Sequence, residues 1–108
     1  KLLKGSPVVI PAEGSDNTPV YHLYVISAPK RDGLQAFLKD RGIFTGIHYP
    51  IPVHLQKSME FIGYKRGDLP VTEQVVEQIL SLPMYAELSI QDIEFVVESI
   101  RAFYQTVN

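Results

Sequence analysis

Apolar and polar positions along this chain follow two periods, and each period marks out its own elements. The run Val20-Tyr21-His22-Leu23-Tyr24-Val25-Ile26-Ser27-Ala28 carries no charge and is rich in β-branched and aromatic residues. Both alternating faces are largely apolar, which predicts a strand inside a sheet, covered on both sides. His22 then reads as a hydrogen-bonded core or interface residue. Pro29 ends the run, and Leu34, Phe37, Leu38 and Arg41 follow at helical spacing, with Gly42 where a left-handed cap is wanted. Ile43-Phe44-Thr45 predicts a short strand.

Downstream, Leu55, Met59 and Ile62 predict a short amphipathic helix ended by Gly63. A polar loop, Tyr64 to Asp68, precedes a second helix with Val71, Val75, Ile79 and Leu80 on one stripe. Leu80-Ser81-Leu82-Pro83-Met84 reads as a short extended piece. The strongest signal is the last helix. Ser89 and Asp92 form a capping-box-like start, and Ile93, Val96, Val97, Ile100 and Phe103 sustain an apolar face opposite Glu94 and Glu98. The sum is β-α-β followed mostly by helix, an α+β class built on a small sheet with about four helices.

Residues 1–19 differ in kind. Pro7, Pro11 and Pro19 surround Val8-Val9-Ile10, and Glu13 to Thr18 is turn chemistry. This predicts a lead-in segment that docks on something upstream, with residues 20–108 forming the folded unit. The chain begins at Lys1 without methionine, which suggests a processed or truncated product.

Composition narrows the function classes. The 108 residues are 45% hydrophobic and 20% charged, enough for one core and too apolar for disorder. A net charge of −2 with scattered lysines and arginines leaves no electrostatic footprint for nucleic acid. No apolar run approaches the ~20 residues that span a bilayer, and no signal-peptide profile opens the chain. The absence of cysteine removes disulfides, thiol catalysis and Cys-based zinc sites, and fits a cytoplasmic protein.

The candidate chemistry lies in Gly46-Ile47-His48-Tyr49-Pro50-Ile51-Pro52-Val53-His54. Each proline disfavours helix at the residue before it, so the segment is stiff and extended. A stiff segment can hold His48, Tyr49 and His54 toward a ligand at little entropic cost. The same residues serve equally as a rigid connection from sheet to helix, and both readings stay open. His-x5-His without cysteine matches no compact zinc pattern, so no metal is expected. No nucleophile elbow, P-loop or dinucleotide fingerprint is present.

The chain resembles the DegT/DnrJ/EryC1/StrS family of sugar aminotransferases from Val20 to Tyr104. The match rests on Val20-Tyr21-His22-Leu23-Tyr24-Val25, Arg41-Gly42-Ile43, Thr45 through Gln56, Gly67-Asp68-Leu69-Pro70, and Ile79-Leu80-Ser81-Leu82-Pro83-Met84-Tyr85. The resemblance implies the small C-terminal domain of an enzyme of the aspartate aminotransferase fold that uses pyridoxal phosphate (PLP). It implies transfer of an amino group from glutamate to a nucleotide-linked keto sugar, in a homodimer, with this domain forming one side of the cleft. It places the Schiff-base lysine in a missing N-terminal large domain. None of Lys1, Lys4, Lys30, Lys39, Lys57 and Lys65 lies in the family's lysine context, so the chain alone is expected to hold no cofactor, no catalytic residue and no activity. It carries His48, Tyr49 and His54 over as substrate-binding candidates. The alternative is a stand-alone ligand-binding or interaction module with the same fold and no catalysis.

Overall fold

A computed structural model describes residues 2–107. In chain order the elements are β1 (Tyr24–Ser27), α1 (Arg31–Asp40), two 3₁₀ turns (Val53–Leu55 and Lys57–Ile62), α2 (Pro70–Gln78), β2 (Ile79–Leu82) and α3 (Ile90–Thr106). The α+β class stands, with three α-helices and two 3₁₀ turns in place of four helices.

The sheet is smaller than the apolar pattern predicts, and prolines explain its limits. β1 and β2 pair antiparallel, with Tyr24 opposite Leu82 and Ser27 opposite Ile79. Val9 bridges to Ser27 on the outer edge of β1, and Gly46 bridges to Ser81 on the outer edge of β2. Continuing the Val9 register places Pro11 opposite Val25, and continuing the Gly46 register places Pro83 opposite Phe44. Neither proline has an N–H to donate, so both ladders stop after one bridge. The strand expected over Ile43–Thr45 therefore does not form. β1 is likewise confined to four residues instead of nine: Val20 is 98% exposed, and His22 lies on the surface of the chain rather than in its core.

α1 follows its sequence signals closely. Leu34 and Leu38 are buried on its inner face. At its end Gly42 takes φ 77°, with bonds from Gly42 N–H to the Lys39 carbonyl and from Ile43 N–H to the Leu38 carbonyl. This is a Schellman closure, and Ile43 packs in the same core as Leu38.

The stripe predicted for the second helix is divided in two. α2 ends at Gln78, and Ile79 and Leu80 open β2 without a loop between them. The Arg31 guanidinium donates to the carbonyls of Val76 and Ile79 (3.2 and 2.9 Å), satisfying the helix end at the turn into the strand. Leu80 joins the core opposite Ile26, whereas Val71 and Val75 stay exposed.

α3 begins at a full capping box. The Asp92 N–H bonds Ser89 Oγ and the Ser89 N–H bonds the Asp92 carboxylate. Val96, Val97, Ile100, Phe103 and Tyr104 are buried, and the Tyr104 hydroxyl donates to the Pro29 carbonyl (2.6 Å). Replacing Ser89→Ala leaves the first-turn N–H groups without that acceptor and should cost about 1 kcal/mol in urea unfolding; an unchanged midpoint would count against the cap as a stabilising element. The lead-in contributes to the same core, since Leu3 and Val8 are buried in it and the Arg101 side chain donates to the Leu2 and Lys4 carbonyls.

Candidate functional site

The Gly46 bridge positions the start of the candidate segment. Gly46 exchanges both backbone hydrogen bonds with Ser81 (3.0 and 2.7 Å). Two residues on, the His48 ring folds back over Gly46, and its Nδ1 bonds Ser81 Oγ at 2.9 Å. The space exists because Gly46 has no side chain: a Cβ there would lie 2.7 Å from His48 Cε1. Tyr49 meets the His48 ring edge-on at 5.6 Å and is 71% exposed. His48 and Tyr49 thus form a small exposed pair at the sheet edge, with ring N–H and phenol O–H groups able to meet a ligand's oxygens.

His54 is placed differently. It lies in the Val53–Leu55 turn at 6% exposure, with Nε2–H donating to Glu73 Oε1 (3.0 Å) and its ring edge-on to Tyr64. Glu73 also accepts the Gly67 N–H at 2.8 and 3.0 Å. One carboxylate on α2 therefore ties down both the proline-rich segment and the loop before the helix. Of the three residues singled out in sequence, the structure brings His48 and Tyr49 together and turns His54 inward.

The hydrogen bond from His54, aided by the Gly67 N–H and opposed by burial, holds the Glu73 carboxyl below the usual carboxylate range. A carboxyl with a depressed folded-state pKa stabilises fully above its unfolded value, and that stability is lost as pH falls through the folded one. Urea midpoints should therefore fall more steeply on the acid side for the wild-type chain than for Glu73→Gln. Parallel acid limbs would show that Glu73 is not held this way.

Ser81 and Glu73 escape the sequence reading, as does the space that Gly46 leaves for the His48 ring. Ser81 had one faint signal, a polar residue between two leucines in a strand, whereas nothing local marks Glu73 as the partner of a histidine nineteen positions away.

Two hollows lie elsewhere. An apolar groove of about 370 Å³ runs between the lead-in and α3, lined by residues including Leu3, Ile10, Tyr24, Leu82, Met84 and Val97. A polar cleft of about 310 Å³ holds Lys4, Ser6, Arg101, Tyr104 and Gln105. Neither includes His48, Tyr49 or His54. Among the described residues there is no cluster of three or more metal-ligating side chains, and no helix is long and apolar enough to cross a membrane.

Residues 1–101, which include the whole His48–His54 segment and β2, match the sequence profile of the DegT/DnrJ/EryC1/StrS aminotransferases. The chain belongs to this family. Among curated family relatives, a pleiotropic regulatory protein of Geobacillus stearothermophilus is 48% identical over 94% of the chain and 27% of its own length. The dTDP-3-amino-3,4,6-trideoxy-alpha-D-glucose transaminase of Streptomyces venezuelae is 35% identical over 98% of the chain and 28% of its length. S. venezuelae DesV, solved in complex with a ketimine intermediate, superposes on 99% of the chain with a TM-score of 0.91 and 34% identity, using 29% of that structure. The chain thus spans under a third of the family relatives it matches.

Proposed function

We propose that this chain is the small C-terminal segment of a PLP-dependent nucleotide-sugar aminotransferase. The overlay on DesV carries this reading: nearly the whole chain repeats one part of a protein solved with a ketimine intermediate. In the intact enzyme, PLP supplies the electron sink through which an amino group from glutamate reaches a keto sugar nucleotide. The residues present do not fit its covalent site. A lysine that forms an imine needs a desolvated pocket or a cationic neighbour, whereas the described lysines at 4, 30, 39, 57 and 65 are all exposed. Lys30 is further engaged with the Val107 carbonyl (2.8 Å). The lysine belongs to a larger domain upstream, and a second subunit completes a homodimer.

This segment's part is then to bind and orient. His48 and Tyr49 offer hydrogen bonds to the sugar nucleotide from a sheet edge, and His54 holds their segment in place through Glu73. The experiment uses the longer protein with PLP, glutamate and keto sugar nucleotides. Amino transfer is expected, and after borohydride reduction the labelled lysine should fall outside residues 1–108. His48→Ala should lower kcat/KM for the sugar about five- to tenfold, the equivalent of one hydrogen bond. Absence of transfer, or a stoichiometric label on a lysine of this chain, overturns the reading and favours a binding module without catalysis.

A further inference from the structure

Ser81 is the one buried hydroxyl that reaches the candidate pair. Its backbone is fixed on both sides, by Gly46 on one edge and by the register with Val25 on the other. Its side chain is 4% exposed, and its single hydrogen bond is to His48 Nδ1. A hydroxyl carries one donor, and a neutral imidazole has one nitrogen with hydrogen and one without. If Nδ1–H donated to Ser81 Oγ, the hydroxyl hydrogen would need another acceptor, and among the described residues Oγ has no second partner. That arrangement would bury an unsatisfied donor, which folded proteins rarely tolerate. In the opposite arrangement Ser81 Oγ–H donates to Nδ1, so the hydrogen of the ring sits on Nε2. Nε2 makes no hydrogen bond among the described residues, and the His48 residue is exposed.

We propose that Ser81 is a positioning residue that fixes His48 as a neutral Nε2–H donor toward an oxygen of the bound sugar nucleotide. Gly46 is the second part of the device, since only a residue without Cβ lets the ring lie over the strand edge and reach Ser81. Fixing the tautomer matters because the Nδ1–H form would present the Nε2 lone pair to an acceptor oxygen and repel it. The role at the ligand rests on the function proposed above; the tautomer does not.

Ring-nitrogen NMR of the 108-residue chain tests the device directly, at a pH where imidazole is neutral. The wild-type His48 ring should show a single Nε2–H tautomer, and an Nδ1–H ring overturns the proposal. In Ser81→Ala, with the remaining amide spectrum retained, the Nδ1 resonance should move as its hydrogen bond is lost; an unmoved resonance also overturns it. In the longer enzyme, Ser81→Ala should lower kcat/KM for the sugar when His48 is present and have no further effect in a His48→Ala background. Equal losses in both backgrounds mean that Ser81 does not act through His48, which overturns the proposal. If His48→Ala itself leaves kcat/KM unchanged, the ligand contact of His48 fails while the tautomer result stands.

Discussion

Leu80→Ala is expected to destabilise the chain by about 2–5 kcal/mol, the largest loss of any single substitution considered. Leu80 is fully buried, sits opposite the equally buried Ile26 in the β1–β2 register, and packs in the cluster that holds Leu34, Leu38 and Ile100. Its removal leaves a cavity that cannot easily collapse. β2 is four residues long, is joined to α2 without a loop, and is pinned by Arg31 at one end and by Gly46 in the middle. Since domains of this kind are stable by only about 5–15 kcal/mol, the variant should be extensively unfolded in mild urea. The comparison is Val71→Ala on the exposed face of α2, which should stay within about 0.5 kcal/mol of wild type. A Leu80→Ala midpoint close to that of Val71→Ala would show that this core does not rest on β2.

Gly46→Ala is expected to cost about 1–3 kcal/mol through overpacking. The backbone at Gly46 is not in the left-handed region, so strain there plays no part. The cost comes from a methyl group 2.7 Å from His48 Cε1, which must drive the ring off Ser81 or push the edge away from β2. The matched control is Gly42→Ala. There a Cβ meets nothing within 4 Å, and the penalty is the left-handed backbone at φ 77°, about 1–2 kcal/mol. Both variants should lower the urea midpoint, but only Gly46→Ala should shift the His48 ring resonances. A Gly46→Ala chain with wild-type His48 signals would mean that the ring does not depend on that gap.

The two substitutions also separate what was legible in sequence from what was not. The candidate segment was found from its prolines and its polar residues, and His48 and Tyr49 do stand together at an exposed edge. His54 carried the same signals, yet it is buried against Glu73, because proline spacing specifies stiffness and not which way a side chain turns. The 3.6-residue spacing alone places Leu80 on a helix stripe with Val71, Val75 and Ile79. Ile79 and Leu80 fit the helical stripe of Val71 and Val75 and equally the start of a strand, and only pairing with β1 decides between them.

What the sequence determined by itself is the set of elements whose partners lie within a few residues. The Schellman end at Gly42, the capping box of Ser89 and Asp92 and the left-handed stop at Gly63 all close through backbone geometry and bonds inside one or two turns. The tertiary structure decided everything that depends on a distant partner. The ladders of Val9 and Gly46 end where Pro11 and Pro83 meet the neighbouring segment, His54 depends on Glu73 nineteen residues away, and His48 on Ser81 thirty-three residues away. A hydrogen bond across the fold leaves no periodicity in the sequence, because its geometry exists only after the backbone has brought the two groups together.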